Sequence, residues 1–167
     1  RIKLNVKLKK MIIESIEEAK IHLKPHNRVI GLDLGSKTIG VALSDQSMTI
    51  ASPLKVIKRT KFSQNLIELQ EIINKFNICG IILGWPLNMN STEGPRTQAT
   101  RAFARNLEKS IALPIIFWDE RLSTVAAEKV LIEADVSRKR RQLLIDKMAA
   151  TYILQGALDR LNYFQRK

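Results

Sequence analysis

The sequence predicts an α/β protein built on a mixed five-stranded sheet with helices on both faces. Three observations lead there. The runs "RVIGLDLG" and "ICGIILGW" are short and almost continuously apolar, as in strands buried on both faces. Three strand-like segments follow one another before the first long helical pattern, which suggests an antiparallel meander. The later strands are each preceded by a helix, which suggests parallel additions to that meander.

Taken in order, residues 11–23 place Ile12, Ile16, Ala19 and Leu23 at helical spacing, and "KPHN" ends the segment. Residues 1–27 are therefore expected to be an N-terminal extension carrying a helix, with the main domain over 28–167. "RVIGLDLG" and "TIGVALSD" form a hairpin around Gly35-Ser36-Lys37. "ASPLKVIKR" supplies the third strand, and Pro53 places it at an edge or near a strand end. Phe62, Leu66, Leu69, Ile73 and Phe76 mark a helix over 62–76. "ICGIILGW" is the fourth strand and "PLNMNSTEGP" a loop rich in Pro, Gly and Asn. Pro95 opens a helix running to about Lys109, and "LPIIFW" is the fifth strand. Ser123 or Thr124 caps a helix through "VAAEKVLIEA". "DVSRKRR" reads as a basic linker, in which "SRKRR" at 137–141 either grips a nucleic-acid backbone or is merely solvated, and a last helix runs from about Gln142 to Asn162.

Composition narrows the function. Among 167 residues, 28 are Lys or Arg and 16 are Asp or Glu, a net charge of +12. Five of the first ten residues are basic, yet removing them leaves +7 (12 − 5), so the remainder is basic too. That balance suits a polyanionic partner, nucleic acid before an acidic membrane. No apolar run approaches the roughly 18–20 residues of a membrane span. Cys79 stands alone, which argues for a reducing, cytoplasmic setting.

Three acids fall where such a sheet would present chemistry. Asp33 ends the first long strand, Glu120 follows the last, and Asp146 heads the apolar stripe of the final helix with Ala149, Ala150, Ile153, Leu154 and Ala157. The small Ala149 and Ala150 would let that helix approach the sheet closely. Carboxylates so placed can converge on a hard cation such as Mg²⁺, which favours oxygen ligands and helps phosphodiester hydrolysis. Each acid also has an ordinary reading: a turn residue for Asp33, an ion pair with Arg121 for Glu120, a favourable helix-start charge for Asp146. Asp45 and Asp119 read as turn and capping residues. His22 and His26 lie outside the apparent core, and no zinc-type Cys/His spacing or Ser/His/Asp set is present.

The G-S-K-T run is not a nucleotide-phosphate loop. That motif needs G-K-[ST] and a following helix. Here Ser36 separates Gly35 from Lys37, and a strand follows. A sugar-kinase or actin-like ATPase needs two such domains, which 167 residues do not accommodate.

Four motifs in order, "GLDLGSKTIGVALSD", "GWPLNMNSTEGP", "DERLST" and "IDKMAATYILQGALD", span Arg28 to Asp159 and resemble the YqgF/RuvX family. Its members are described as pre-16S rRNA nucleases and, in older descriptions, as Holliday junction resolvases. The resemblance implies a ribonuclease H-like fold and a metal-dependent hydrolase acting on phosphodiester bonds of structured nucleic acid. Carried over by motif, Asp33, Glu120 and Asp146 are the catalytic acids and ligands of Mg²⁺ or Mn²⁺. Lys37, Asn88 and Arg121 are the expected substrate contacts. The implied role is 5′-end processing of pre-16S rRNA in ribosome biogenesis, on the RNA or on ribosomal precursor particles, as monomer or homodimer. Alternatives are a junction resolvase in DNA recombination, which needs a dimer, and a non-catalytic RNA-binding assembly factor. Two departures stand out. Trp85 replaces the usual Leu of a GLP-like motif. Ribonuclease H-like enzymes also often carry an acid at the end of the fourth strand, where this chain has Gly84-Trp85-Pro86. Glu120 would have to reach across from the neighbouring strand.

Overall fold

The computed structural model describes residues 11–87, 90, 92–120 and 137–165, without the side chains at 138, 141–143, 146–147 and 164–165. The predicted helix over 125–134, Asn88 and Arg121 lie outside the described residues. The chain runs β1 (Ile12–Ile13), α1 (Ile16–Ala19), a 3₁₀ turn (Lys20–His22), β2 (Arg28–Leu34), β3 (Thr38–Ser44) and β4 (Ala51–Lys58). It continues with α2 (Phe62–Phe76), β5 (Ile78–Trp85), α3 (Pro95–Ser110), β6 (Ile115–Asp119) and α4 (Arg138–Gln165).

The strands form one mixed sheet in the order β1-β6-β5-β2-β3-β4. The β2-β3-β4 meander is antiparallel, whereas β5, β6 and β1 add in parallel. Among the described residues six strands form the sheet, where the sequence predicts five. The additional one is β1, whose Ile12 and Ile13 pair with Ile115 and Ile116. The helix expected over 11–23 is thereby corrected to a two-residue strand, one helical turn and a 3₁₀ turn. Pairing to the open edge of β6 overrides the 3.6-residue spacing. Pro53 sits on the edge strand β4 at a register shift, where a missing N–H costs no ladder bond.

Strand alternation divides the core into two faces. Ile30, Leu32 and Leu34 of β2 pack with Ile81, Leu83, Ile115 and Phe117 beneath α2 and α3. Val29, Ala42, Cys79, Ile82 and Ile116 form the other face beneath α1 and α4. α4 lies very close to the sheet there. A Cβ added to Gly31 would stand 2.7 Å from Leu154 Cβ and 3.0 Å from the Ala150 carbonyl oxygen. Ala149, Ala150 and Ala157 are buried at that contact, as their size leads one to expect.

α4 begins at Arg138, not near Gln142, so the basic run expected as a linker forms the helix's first turn. Arg and Lys are good helix formers, and nothing in "RKRR" breaks a helix.

Candidate active site

Asp33 and Glu120 come together at the carboxyl ends of β2 and β6. The parallel β2–β5 ladder runs to Leu32↔Leu83, so Asp33 and Gly84 are the next residues along it. On the far side, Gly84 pairs with Trp118 and Trp85 with Asp119. Glu120 continues β6 by one residue, and its N–H donates to the Trp85 carbonyl oxygen at 3.3 Å. By alternation, Asp33, Gly84 and Glu120 share the face covered by α4.

Gly84 makes this meeting possible. A Cβ at position 84 would stand 2.6 Å from Glu120 Oε2 and 2.7 Å from Ile153 Cδ1. The Glu120 carboxyl therefore lies over the bare backbone of β5 and reaches Asp33, to which it is hydrogen-bonded. The missing fourth-strand acid and the reach of Glu120 are one arrangement.

The pair is strongly perturbed. Burial is the main cause that lifts the Glu120 pKa from 4.5 to about 7. The neighbouring Asp33 charge adds to the rise, Arg96 opposes it, and the Asp33 hydrogen bond and the Asp119 charge raise it further. Below about pH 7, Glu120 can thus carry a proton and donate it in the hydrogen bond to Asp33. Two acids holding one proton is what converging carboxyls do when like charges cannot both persist.

The pair opens into a cleft of about 690 Å³. Lys37 and its turn form one wall, Arg59 and Arg96 line the rim, and Ile145 and Ala149 of α4 form the roof. The turn is braced: Arg59 Nη1 donates to the Gly35 carbonyl oxygen at 2.7 Å, and the Arg59 N–H donates to Lys37 O at 2.9 Å. Arg96 Nη2 stands 3.6 Å from Glu120 Oε1. Neither arginine is singled out by sequence reasoning. Arg59 ends the predicted third strand, and Arg96 directly follows the helix-opening Pro95; those positions were the available signals. Position 146 lies within α4 between Ile145 and Ala149, but the Asp146 side chain is outside the described residues. Among the described residues, no three His, Cys, Asp or Glu side chains gather as a metal-binding group.

Of the two acids read as turn and capping residues, Asp119 is instead the last residue of β6. Asp45 caps the β3–β4 turn, accepting the N–H groups of Thr49 at 2.7 Å and Ile50 at 3.0 Å and the Ser47 hydroxyl at 2.6 Å. Those bonds hold its pKa below the usual carboxylate range, the Ser47 hydroxyl being the main cause.

The model of the family described as "RuvX: Holliday junction resolvase" matches residues 27–160. The chain belongs to the RuvX family. A relative from Cereibacter sphaeroides (strain ATCC 17025 / ATH 2.4.3) is 57% identical over 157 residues, covering 94% of this chain and 98% of its own. One from Paracoccus denitrificans (strain Pd 1222) is 57% identical over 156 residues, covering 93% and 99%. Both carry the name "Putative pre-16S rRNA nuclease". Among solved structures, T. thermophilus RuvC in complex with Holliday junction substrate superposes with a TM-score of 0.52 at 14% identity, over 82% of this chain and 97% of RuvC. The yeast mitochondrial Holliday junction resolvase Ydc2 gives 0.50 at 13%, over 90% and 87%. At such identities the likeness is one of fold. The ribonuclease H-like fold expected for a RuvX chain is present, with six strands among the described residues instead of five.

Proposed function

We propose that this chain is a metal-dependent nuclease that hydrolyses phosphodiester bonds in structured nucleic acid, and that its substrate is the 5′ region of pre-16S rRNA. One observation carries the reading: a buried Glu120 carboxyl, hydrogen-bonded to the half-buried Asp33, opens into a cleft lined by Lys37, Arg59 and Arg96. The carboxyls suit a hard cation and the bases suit phosphate. The choice of pre-16S rRNA rests on the printed names of the relatives. A cytoplasmic site of action accords with it. Among the described residues, no helix is long and apolar enough to cross a membrane. We assign the chemistry to residues 28–167, with 1–27 as a preceding segment.

The donor set fits Mg²⁺ or Mn²⁺. It is all oxygen, it carries negative charge, and its two carboxyls already meet at hydrogen-bond distance. Asp33 and Glu120, joined by Asp146, would hold the ion. When bound, it supplies Lewis acidity toward a phosphoryl oxygen and the attacking water. The rest belongs to the chain. α4 and the bare backbone at Gly84 keep Glu120 dry, which strengthens its electrostatic interactions. Lys37 and Arg96 offset charge that builds on phosphate oxygens. Arg59 holds the turn that presents Lys37. Asn88 and Arg121 are assigned as further substrate contacts.

The test compares the purified protein and Asp33→Asn on a pre-16S 5′ precursor RNA and a four-way DNA junction, with Mg²⁺ or Mn²⁺. The expected result is cleavage of the RNA by the wild type only. Preferential symmetric cutting of the junction would replace the rRNA reading with a resolvase. RNA binding without cleavage under any metal would replace it with an assembly factor.

A further inference from the structure

Arg96 and Arg101 are five residues apart on α3, and they are held very differently. Arg101 is fully engaged. Its guanidinium contacts Glu93 at 2.8 Å and Glu14 at 3.4 Å and stacks 4.8 Å from the Trp85 ring centroid. Among the described residues Arg96 makes one ion pair, with Glu120 at 3.6 Å, and its side chain is 66% exposed. At that separation the contact is a charge attraction, not a hydrogen bond. Its exposed end exchanges readily with water or another anion.

The root of Arg96 is nevertheless fixed. Gly94 N–H donates to Thr97 Oγ1 at 3.2 Å, and that hydroxyl donates to the Pro86 carbonyl oxygen at 2.9 Å. Thr97 is fully buried. The first turn of α3 is thus tied to the end of β5, next to Gly84. A fixed backbone and a loosely held guanidinium place one positive charge within reach of both the carboxyl pair and the open cleft.

We propose that Arg96 is an exchangeable counter-ion: it balances the negative charge of the Asp33–Glu120 pair in the metal-free protein, yields to the divalent cation, and then grips a phosphate of the nucleic acid. The inference rests on the reading of Asp33 and Glu120 as the cation-holding pair. Its consequence is linkage. The cation frees Arg96 for the phosphate, so each ligand strengthens the binding of the other, by the same factor in both directions. Lys37 and Arg59 also line the cleft, but Arg59 is already committed to Gly35. Among the described residues, Arg96 is the cation for which an ion pair with Glu120 is seen.

The test uses the full chain with Arg96→Gln and Arg96→Lys. Mn²⁺ alone is titrated by calorimetry, and a fluorescent RNA hairpin with a 5′ single-stranded arm is titrated in EDTA and in Ca²⁺. Removing a competing exposed cation should tighten Mn²⁺ binding by roughly fivefold, the scale of a weak ion pair. The same change should weaken hairpin binding and bring the Ca²⁺-induced gain in hairpin affinity down toward one. Arg96→Lys should restore most of that gain. Unchanged or weaker Mn²⁺ binding by a folded Arg96→Gln would overturn the proposal even if cleavage persists. Tighter Mn²⁺ binding with no RNA cleaved by the wild type would keep the competing ion pair and remove the nuclease reading instead.

Discussion

The Glu120 carboxyl occupies the space that a side chain on Gly84 would fill, with a Cβ at 84 only 2.6 Å from Glu120 Oε2. The relationship makes the glycine a condition of the acid's position. Gly84→Ala should displace Glu120 and press on Ile153, costing about 1–3 kcal/mol by overpacking. Cleavage should fall by more than the melting temperature implies, because the carboxyl pair is separated. A variant with full activity would show that the carboxyls need not meet. Glu120→Ala combined with Gly84→Asp should regain divalent-cation binding, since the vacated space then holds an acid on β5; calorimetry with Mn²⁺ checks it.

Asp33→Asn should abolish hydrolysis, by at least about 100-fold, while leaving the fold intact. The amide removes a negative charge next to Glu120 and so lowers the Glu120 pKa toward its ordinary value. The paired readouts are single-turnover cleavage and a carboxyl titration followed by NMR. A Glu120 pKa that stays near 7 in the variant would mean burial acts alone.

Stability should depend on pH through Glu120 in a defined sense. Its pKa is 4.5 unperturbed and about 7 in the folded chain. A raised carboxyl pKa favours folding below the unfolded value, and that contribution is lost as pH rises through about 7. The window spans up to about 3 kcal/mol. In EDTA, the wild type should therefore lose stability relative to Glu120→Gln between pH 5 and 8, measured as urea midpoints at roughly half-unit steps. Mn²⁺ should stabilise the wild type more at pH 8 than at pH 6, because protons compete for the carboxyls. A parallel pair of pH profiles would place the titrating group elsewhere.

Gly31→Ala should loosen the contact between α4 and the sheet. The added methyl meets Leu154 Cβ and the backbone oxygen of Ala150, neither of which is a flexible end. A cost of about 1–3 kcal/mol is expected. Because α4 also carries position 146, divalent-cation affinity should fall together with stability. Loss of stability at unchanged Mn²⁺ affinity would detach the helix from the cation site.

Much of this architecture is legible in short stretches. "VIGLDL" and "CGIILG" are apolar on both faces because helices cover both, so their identity as central strands follows from composition alone. Pro53 and Pro95 mark an edge and a helix start through the donor that each lacks. Ile12 and Ile13 mislead because a two-residue strand has no period of its own; only the distant Ile115 and Ile116 make it one. Arg138 to Arg141 mislead because basic residues are read as solvated linker while being good helix formers. Asp33 and Glu120 are readable as strand-end acids. Arg59 and Arg96 are not, since their partners are a backbone oxygen 24 residues away and a buried carboxyl reached only through the fold.

The pairing of β1 with β6 bears on how the protein should be handled. Glu120 immediately follows β6, the strand that β1 closes off from solvent. Ile115 N–H donates to the Met11 carbonyl oxygen at 2.8 Å, and Ile13, Ile16 and Ala19 are buried over the same face. A proteolytic cut or an expression boundary near residue 27, where the recognisable motif region starts, would strip that flank away. The trimmed protein would keep Asp33, Glu120 and Asp146 yet expose the strand that aims one of them, so an inactive fragment would say nothing about the intact enzyme.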